Sequence, residues 1–339
     1  MTLAVAMPNW VGDVVMATPT LRALRARFPK DRILAVIRPG LRRILEPNPW
    51  TDGFVEIDKS SAGLWNAAAR LRRERIDTGL LLPNSFRSAA LFWLGDVRRR
   101  IGYARGGRTF LLTDAIPPER AGGQIVSSPQ ITSYLKLAEA LDAPTDNRRM
   151  ELFVTEADEA KAAEAWQAMG LAPDRTVLLC PGANFGPSKM WPAAHWGAFV
   201  RAARDRIGLE SAILCGPNEA AVAEAIQAAA SGCATFHDKG VSLAAARAVV
   251  RRARAVVAID SGLRHYAAAF ERPVVTLFGP TEIIRTEIWY DKEVRLQGVV
   301  PCGPCQEKEC PLATGECMAK IAPDEVVEAL GELLAREGA

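Results

Sequence analysis

An acidic residue stands where the chain changes from an apolar run to a helical pattern. In "PNWVGDVVMATPTLRALRARFP", residues 8–29, the run Leu3–Met7 has just ended and Asp13 follows directly on Gly12. The fingerprint G-x-G-x-x-G, whose glycines let a backbone approach a pyrophosphate, is missing here. The positive end of the following helix stabilises an ionised carboxylate. Helix capping is enough to explain Asp13 at this level, and a role in chemistry is the alternative.

A second segment combines small residues with a lysine. In "CPGANFGPSKMWPAAHW", residues 180–196, a buried strand ends at Cys180 and Pro192 lies in the first turn of a helix. Small residues let the backbone approach an anion, and the N–H groups of a helix start can bind one. Lys189 adds a positive charge, so this loop is a candidate phosphate site, although its spacing is not that of a Walker loop. The alternative is an ordinary turn with a solvated lysine.

A third segment, "AIDSGLRHYAAAF", residues 258–270, also runs from a buried strand into a helix. Asp260 and Ser261 can cap that helix. In the functional interpretation, the N–H groups of Ser261, Gly262 and Leu263 hold a pyrophosphate. The neighbouring His265 is more typical of a structural hydrogen-bond donor than of a catalyst.

A fourth segment, "ILCGPNEAAVAEA", residues 213–225, places Glu219 at a helix start after a strand. An acid in a first turn complements the helix dipole. An acid beyond a strand end can equally bind the two hydroxyls of a ribose. The sequence leaves these two interpretations open.

Alternating strands and helices must position these four loops. The apolar runs predict ten strands: Leu3–Met7, Ile33–Ile37, Gly53–Ile57, Thr78–Leu82, Arg99–Gly102, Val177–Cys180, Ala212–Cys215, Ala234–His237, Ala255–Ile259 and Val274–Phe278. Strands that alternate with helical stretches indicate an α/β fold with parallel sheets covered on both faces. We therefore predict two doubly wound, Rossmann-like domains that face each other across a cleft.

The two domains are separated by a polar, proline-bearing stretch near residue 145. We predict an N-terminal domain over residues 1–150, a linker and helix over 151–175, and a C-terminal domain over 176–339. A chain of 339 residues favours two domains over one core. No apolar run reaches the length of a membrane span, and the start lacks the layout of a signal peptide. Together with the odd cysteine count of 7, this indicates a cytoplasmic protein.

The net charge of +3 hides an asymmetry between the two halves. Residues 1–150 carry 23 Lys and Arg against 14 Asp and Glu, a net +9, whereas the rest of the chain has 19 against 25, a net −6. The basic half is either a solvated surface or a face that meets an acidic membrane or glycolipid. No nucleic-acid recognition motif accompanies these charges.

Several long motifs together resemble the bacterial ADP-heptose:lipopolysaccharide heptosyltransferases, glycosyltransferase family 9, and most closely their heptosyltransferase II branch. These motifs are residues 8–29, "NSFRSAALFWLGDVRRRIGYARGGRTFLLTD" (84–114), "PGANFGPSKMWP" (181–192) and "DSGLRHYAAAFERPVVTLFGPT" (260–281). They occur in the family's order. The resemblance implies the GT-B arrangement of two Rossmann-like domains. It also implies an inverting, metal-independent transfer of heptose from ADP-L-glycero-D-manno-heptose to the inner core of lipopolysaccharide.

The resemblance also implies roles for particular residues. Asp13 matches the general base, Lys189 the lysine on donor phosphate and sugar, and Glu219 the acid on the ribose. Donor binding is further implied for the loop Asp260, Ser261, Gly262, Leu263 with His265, and for Val241 and Ser242 near the adenine. Arg264 stands where the family commonly has an apolar residue, and it either contacts phosphate or reaches solvent.

The acceptor implied by the resemblance is an acidic core glycolipid of the Kdo-lipid A type. We expect its contacts in the basic half, with Arg87, Arg98, Arg99 and Arg100 as candidates. Successive side chains of a strand alternate faces, so at least one residue of the Arg98–Arg100 run is expected to be merely solvated. We expect a peripheral enzyme at the cytoplasmic face of the inner membrane, requiring no cofactor and binding no nucleic acid.

Four cysteines lie close together in "PCGPCQEKECPLATGECM", residues 301–318. The set of Cys302, Cys305, Cys310 and Cys317 has the ligand count of a structural zinc site. The later spacings are not those of a standard finger, and structural cysteines, reduced or disulfide-linked, are the favoured interpretation.

Two other functions remain open at this level. One is a transferase of the same fold that uses another nucleotide sugar. The other is a non-enzymatic protein that binds sugar nucleotides. Asp13 argues weakly against it, because a protein that only binds needs no acid facing the acceptor. A dehydrogenase is disfavoured because neither half carries the dinucleotide glycine fingerprint.

Overall fold

The structure, a computed structural model, describes residues 1–338, which form two compact units. Unit 1 comprises Met1–Phe153 together with Ile284–Trp289, and unit 2 comprises the rest. The segment Ile284–Trp289 therefore belongs with the N-terminal residues although it comes late in the chain. None of the described helices is both long and apolar enough to cross a membrane.

Unit 1 is built on one six-stranded parallel sheet with strand order β3-β2-β1-β4-β5-β6. Its strands are β1 (Thr2–Ala6), β2 (Arg32–Ile37), β3 (Gly53–Glu56), β4 (Thr78–Leu81), β5 (Arg99–Tyr103) and β6 (Asp114–Ile116), followed by a short hairpin, β7 (Arg120–Ala121) and β8 (Gln124–Ile125). Its helices are α1 (Val11–Met16), α2 (Thr18–Arg27), α3 (Pro39–Leu45), α4 (Ser61–Glu74), α5 (Phe86–Leu94) and α6 (Gln130–Glu139).

Unit 2 repeats this plan with strand order β11-β10-β9-β12-β13-β14. Its parallel strands are β9 (Thr176–Cys180), β10 (Glu210–Ile213), β11 (Ala234–Thr235), β12 (Ala255–Ile259), β13 (Val274–Phe278) and β14 (Glu293–Gln297). Its helices are α7 (Glu156–Ala168), α8 (Ala193–Ile207), α9 (Ala220–Ala229), α10 (Ala245–Arg252), α11 (Gly262–Ala269), α12 (Glu316–Ala319) and α13 (Pro323–Gly338).

The central strands are buried along their whole length and mostly apolar, because helices cover both faces of each sheet. Every residue of β9, β12 and β13 is buried, which is the pattern of a parallel sheet rather than of a half-exposed one. The two doubly wound sheets confirm the predicted fold class. Strands β12 and β13 coincide with the predicted ones, whereas β14 and β6 were not predicted, and β14 is only half-buried.

Local signals fix where several helices begin. Ser60 and Ser85 accept hydrogen bonds from the third residue of α4 and α5, and Thr155 forms a capping box with Asp158 at the start of α7. Helix α8 ends at Gly208 in the left-handed conformation, which glycine adopts without strain.

Candidate active site

In each sheet the strand order reverses once, between β1 and β4 in unit 1 and between β9 and β12 in unit 2. Doubly wound folds bind ligands beyond the carboxyl ends of their strands at such a point. In unit 2 that edge carries two of the predicted segments: the loop from Cys180 to Lys189 and the turn at Asp260 and Ser261. The fold therefore brings together residues that are 71 positions apart in the chain.

Lys189 and Asp260 form a buried ion pair at this edge. The Lys189 Nζ donates to Asp260 Oδ2 at 2.6 Å and to the Asp260 carbonyl oxygen at 2.9 Å. Only 8% of Lys189 and 6% of Asp260 is exposed. The lysine also lies 4.7 Å from the ring centre of Phe185, in a cation–π contact. The solvated lysine that the sequence allowed as an alternative is therefore wrong.

The turn that carries Lys189 is fixed from outside. Ser188 donates through its N–H to Lys308 O and through its hydroxyl to Glu307 O, so the 3₁₀ turn Pro187–Lys189 is tied to a later segment of unit 2. A Cβ at Gly186 would overlap the Lys308 backbone, which explains the glycine. The turn that carries Lys189 is thus held in place by hydrogen bonds to residues 307 and 308.

The charges around Asp260 hold it ionised. Burial alone would raise the pKa of this carboxyl, but the positive charges of Lys189 and Arg264 and the hydrogen bonds from Lys189 and Thr281 lower it below its ordinary value. The Thr281 hydroxyl donates to Asp260 Oδ2 at 2.8 Å. Asp260 is therefore a fixed anion that holds Lys189 in place.

Arg264 is fully buried, so it does not reach solvent as one expectation had it. Its guanidinium pairs with Glu293, with distances of 2.5 Å from Nε to Oε1 and 2.9 Å from Nη2 to Oε2. A longer contact of 3.8 Å runs from Nη1 to Asp260 Oδ1. Thr276 also donates to Glu293 Oε1 at 2.6 Å. Two cations and two carboxylates thus form one interior network.

The start of α11 has the features of an anion site. Ser261 is its N-cap residue in extended conformation, but the serine side chain makes no capping hydrogen bond. The Ser261 Oγ is buried and has no hydrogen-bond partner among the described residues. Ser261, Gly262 and Leu263 are half-buried, and N–H groups in a first helical turn have no partner within the helix. The capping interpretation of Ser261 is wrong.

His265 lies inside unit 2 rather than at the loop surface. It is 2% exposed, and its Nδ1 has no hydrogen-bond partner among the described residues. Burial, reinforced by the charge of Arg264, lowers the pKa of His265 to about 3. The ring is therefore neutral and packed behind the loop, and its contact with the donor stays a prediction.

Glu219 stands at the carboxyl end of the neighbouring strand β10, in the 3₁₀ turn Pro217–Glu219. Its Oε2 accepts from the Gly216 N–H at 2.6 Å, so the carboxylate caps its own turn. A Cβ at Gly182 would overlap this carboxylate, which shows how closely the loop after β9 approaches Glu219. A carboxylate has further acceptor positions for a second partner.

The other predicted donor residues, Val241 and Ser242, lie before α10. Val241 is half-buried, and exposed Ser242 accepts from the Ala245 N–H at 3.1 Å. The fully buried Arg247 donates to Ala244 O at 3.0 Å and to Asp158 Oδ2 at 2.8 Å. This arginine anchors the segment that follows Ser242.

Unit 1 has a pocket of about 320 Å³ at the corresponding edge of its sheet. Residues from the loops after β1, β2, β3 and β4 line it, among them Asn9, Arg38, Lys59 and Arg87. Arg87 Nη2 donates to the carbonyl oxygens of Asp58 at 3.2 Å and Ser60 at 2.5 Å, which ties the start of α5 to the start of α4. Three cationic side chains thus line one pocket, together with one acidic residue, Asp58.

Arg38 and Lys59 were missed in the sequence although a signal was present. Both follow a predicted strand within two positions, as Arg38 follows Ile37 and Lys59 follows Ile57. Ligand-binding side chains concentrate at such strand ends. Counting cations directly after each predicted strand would have found both.

Asp13 lies in the first turn of α1, directly after the loop whose Asn9 lines the pocket. Asp13 is half-buried. Burial of Tyr134 on α6 is the main cause that raises the pKa of this tyrosine, and the charge of Asp13 raises it further. The side chain of the N-cap residue, Trp10, makes no capping hydrogen bond. Asp13 and the cationic pocket therefore belong to the same edge of unit 1.

The structure separates Arg98, Arg99 and Arg100 from this edge. Arg99 begins β5, so the run lies at the amino end of the strand, opposite to the pocket. Arg99 donates to Asp114 Oδ1 at 2.8 Å, and Arg100 donates to the backbone oxygens of Val97 and Leu111. Arg98, with 82% of its side chain exposed, is solvated as the strand alternation predicts for one of the three. Of the predicted acceptor residues, only Arg87 lies at the pocket.

The four late cysteines are free thiols, with Cys302 exposed and Cys305, Cys310 and Cys317 half-buried. Within residues 1–338 the structure contains no group of three or more His, Cys, Asp or Glu that could hold a metal ion. The arrangement therefore fits neither a zinc site nor a disulfide pair.

Comparison with known proteins agrees with this geometry. The model of glycosyltransferase family 9 (heptosyltransferase) matches residues 64–315. The chain belongs to this family. It is a glycosyltransferase. The loop with Lys189 and the turn at Asp260 and Ser261, which meet at the edge of unit 2, both lie within the matched residues.

Relatives within family 9 match along the whole chain. The lipopolysaccharide heptosyltransferase 2 of Salmonella typhimurium is 28% identical over 100% of both chains. The solved E. coli ADP-heptose lipopolysaccharide heptosyltransferase II has a TM-score of 0.81 at 26% identity and covers 100% of both chains. A family 9 glycosyl transferase from Veillonella parvula has a TM-score of 0.84 at 21% identity, over 99% of this chain and 97% of the other. These matches confirm the resemblance and the GT-B fold class.

Proposed function

We propose that this family 9 enzyme transfers a heptose from ADP-heptose to the inner core of lipopolysaccharide, with inversion and without a metal ion. Its relatives carry the names of lipopolysaccharide heptosyltransferases over its full length. The observation that supports the proposal is the buried Lys189 at the switch point of unit 2, beside the start of α11. An ammonium group and the N–H groups of a helix start are donors that suit an anion.

The donor diphosphate occupies this anion site. An ammonium group has three donors, and the two hydrogen bonds to Asp260 leave one for a phosphate oxygen. The first N–H groups of α11 and the Ser261 hydroxyl supply further donors. Glu219 binds the ribose hydroxyls, and the segment with Val241 and Ser242 lies near the adenine.

Asp13 acts as the general base. It takes the proton of the acceptor hydroxyl as that oxygen attacks the anomeric carbon, and the bond from this carbon to the ADP oxygen breaks on the opposite side. Attack from the face opposite to the leaving group inverts the configuration, through an oxocarbenium-like transition state. Negative charge grows on the departing ADP, where Lys189 and the α11 N–H groups stabilise it.

The acceptor binds in unit 1 through its acidic groups. Arg38, Lys59 and Arg87 line the pocket and match carboxylates or phosphates of a core glycolipid. A glycolipid acceptor stays anchored in a bilayer, so we propose that the enzyme acts at the cytoplasmic face of the inner membrane as a peripheral protein.

The test is turnover by the purified full-length chain. ADP-heptose, UDP-sugars and GDP-sugars are compared as donors with a defined heptose-Kdo acceptor, in the presence of EDTA. We expect transfer from ADP-heptose alone, undiminished by EDTA, and NMR of the product reports the anomeric configuration. Preference for a UDP- or GDP-sugar would establish the second candidate, a transferase of the same fold with another donor. Retention of configuration would exclude the proposed role of Asp13.

A further inference from the structure

Unit 1 exposes three large aromatic side chains on neighbouring elements. Phe110 is 75% exposed, Trp93 55% and Phe86 51%. Phe86 and Trp93 belong to α5, and Phe110 lies in the adjacent 3₁₀ turn Thr109–Leu111. The ring centres of Phe86 and Phe110 are 6.1 Å apart. We call these three residues the aromatic surface.

Helix α5 is apolar on both faces, and only one face is covered. Ala89, Leu91 and Phe92 are buried in the core of unit 1. Phe86 and Trp93 are seven positions apart, so they project from the same side of the helix. A clustered apolar patch on a protein surface indicates an interaction site, whereas single exposed apolar residues do not.

Cations flank the aromatic surface at both ends of α5. Arg87 follows Phe86 and lines the cationic pocket with Lys59. Beyond the other end stands Arg98, whose side chain is 82% exposed and 3.6 Å from Asp77. Arg99 and Arg100 do not add to this charge, because Arg99 pairs with Asp114 and Arg100 donates to backbone oxygens. The surface therefore combines exposed aromatic rings with positive charge.

We propose that the aromatic surface docks onto a bilayer of anionic phospholipid. Aromatic rings are favoured at the level of lipid head groups, and Lys and Arg are attracted to an anionic leaflet. A second copy of the chain fits less well, because residues 1–150 carry a net +9 and two such faces repel. The inference rests on the proposed function, since a bilayer-anchored acidic acceptor would meet the pocket beside Arg87.

The experiment measures partitioning of the full-length protein to vesicles of phosphatidylethanolamine with phosphatidylglycerol, and to neutral phosphatidylcholine vesicles. We expect binding to the anionic vesicles only. Combining Trp93→Ser with Phe110→Ser weakens it by about tenfold or more, because a factor of ten is about 1.4 kcal/mol and full burial of one large apolar side chain is worth at least that. Arg98→Ala weakens it by about fivefold, which corresponds to about 1 kcal/mol per surface cation.

Val299→Ser is the matched control, because Val299 in unit 2 is 79% exposed and should not change vesicle binding. Equal binding of the wild type and the double variant, or equal binding to neutral vesicles, would overturn the docking. Light scattering that shows a dimeric wild type and a monomeric double variant would also overturn the docking, because the aromatic surface would then be a contact between two copies of the chain.

Turnover with a deacylated, water-soluble acceptor separates this inference from the proposed function. The double variant should keep wild-type turnover on that acceptor while losing vesicle binding. A wild type that binds anionic vesicles but does not use ADP-heptose would contradict the proposed function and leave the docking surface standing. A double variant that loses both turnover on the soluble acceptor and vesicle binding has lost its fold. Vesicle binding by the Phe110→Ser single variant then tests the docking.

Discussion

Replacing Lys189 by methionine tests two roles of this residue, the proposed binding of the donor phosphate and the ion pair with Asp260. Lys189→Met removes the charge but keeps a long apolar side chain in the buried position. A charge-assisted hydrogen bond is worth about 1.5–3 kcal/mol, so ADP should bind about 10- to 150-fold more weakly. Calorimetry with ADP measures this change directly.

The same substitution should also destabilise unit 2. Asp260 is 6% exposed, and loss of Lys189 removes the cation that contacts its carboxylate at 2.6 Å, whereas Arg264 lies at 3.8 Å. Breaking one side of a buried ion pair costs about 3–5 kcal/mol. Denaturant unfolding of the ligand-free protein measures this loss.

A double variant distinguishes these effects. Combining Lys189→Met with Asp260→Asn removes the uncompensated charge, so most of the lost stability should return. Affinity for ADP should stay low, because the phosphate still lacks its cation. If a folded Lys189→Met variant binds ADP as the wild type does, Lys189 is a structural residue and the donor site has been misassigned. If the double variant recovers ADP affinity along with stability, the weak binding of the single variant came from misfolding.

Three other perturbations test separate parts of the molecule. Asp13→Asn should keep ADP affinity while kcat falls about 10²-fold or more, and near-normal turnover would remove Asp13 from the mechanism. The KM for the acidic acceptor should rise with salt and respond less in Arg87→Ala, as measured from 0.1 to 1 M, where the screening length falls from about 10 to about 3 Å. A salt-independent KM would leave the pocket without an ionic role. The pKa of His265 is about 3 in the fold, well below its unfolded value. The free energy of unfolding of unit 2 should therefore drop by about 1.4 kcal/mol from pH 7.5 to 5.5, because the unfolded state binds the proton. Hydrogen exchange of the β12 amides measures this drop, and the His265→Gln variant should not show it.

The sequence predicted the sheets and the position of the Lys189 loop after a buried strand, because both depend on local patterns. Buried parallel strands such as Ala255–Ile259 are short apolar runs bounded by turn residues, and the loop with Lys189 carries its small residues within a few positions. The half-buried strand β14 lacks such a run, and the pairing of Arg264 with Glu293 joins residues 29 positions apart. No local pattern contains that pairing.

The arginines of unit 1 show a second limit of sequence reasoning. A run such as Arg98–Arg100 attracts attention by its charge density, but its function depends on which end of the strand it occupies. Because Arg99 begins β5, its side chains find partners at the edge away from the pocket. Arg38 and Lys59, each isolated in the sequence, converge because their strands end side by side. The position of a cation relative to a strand end therefore predicts better than local charge density whether it reaches the pocket.

The buried network of unit 2 explains how Lys189 can stay buried beside the start of α11. Arg264 is the third residue of α11, where the helix dipole disfavours a cation. Glu293 and Asp260 offset that cost, and Asp260 also holds Lys189. The charges of the two cations and the two carboxylates cancel, which lowers the cost of burying Lys189 beside the helix start. Because Arg264 also faces Asp260, both cations keep that carboxylate compensated while the third donor of Lys189 serves the proposed phosphate. Arg264 thus supports Lys189 through the carboxylate of Asp260 that both cations face.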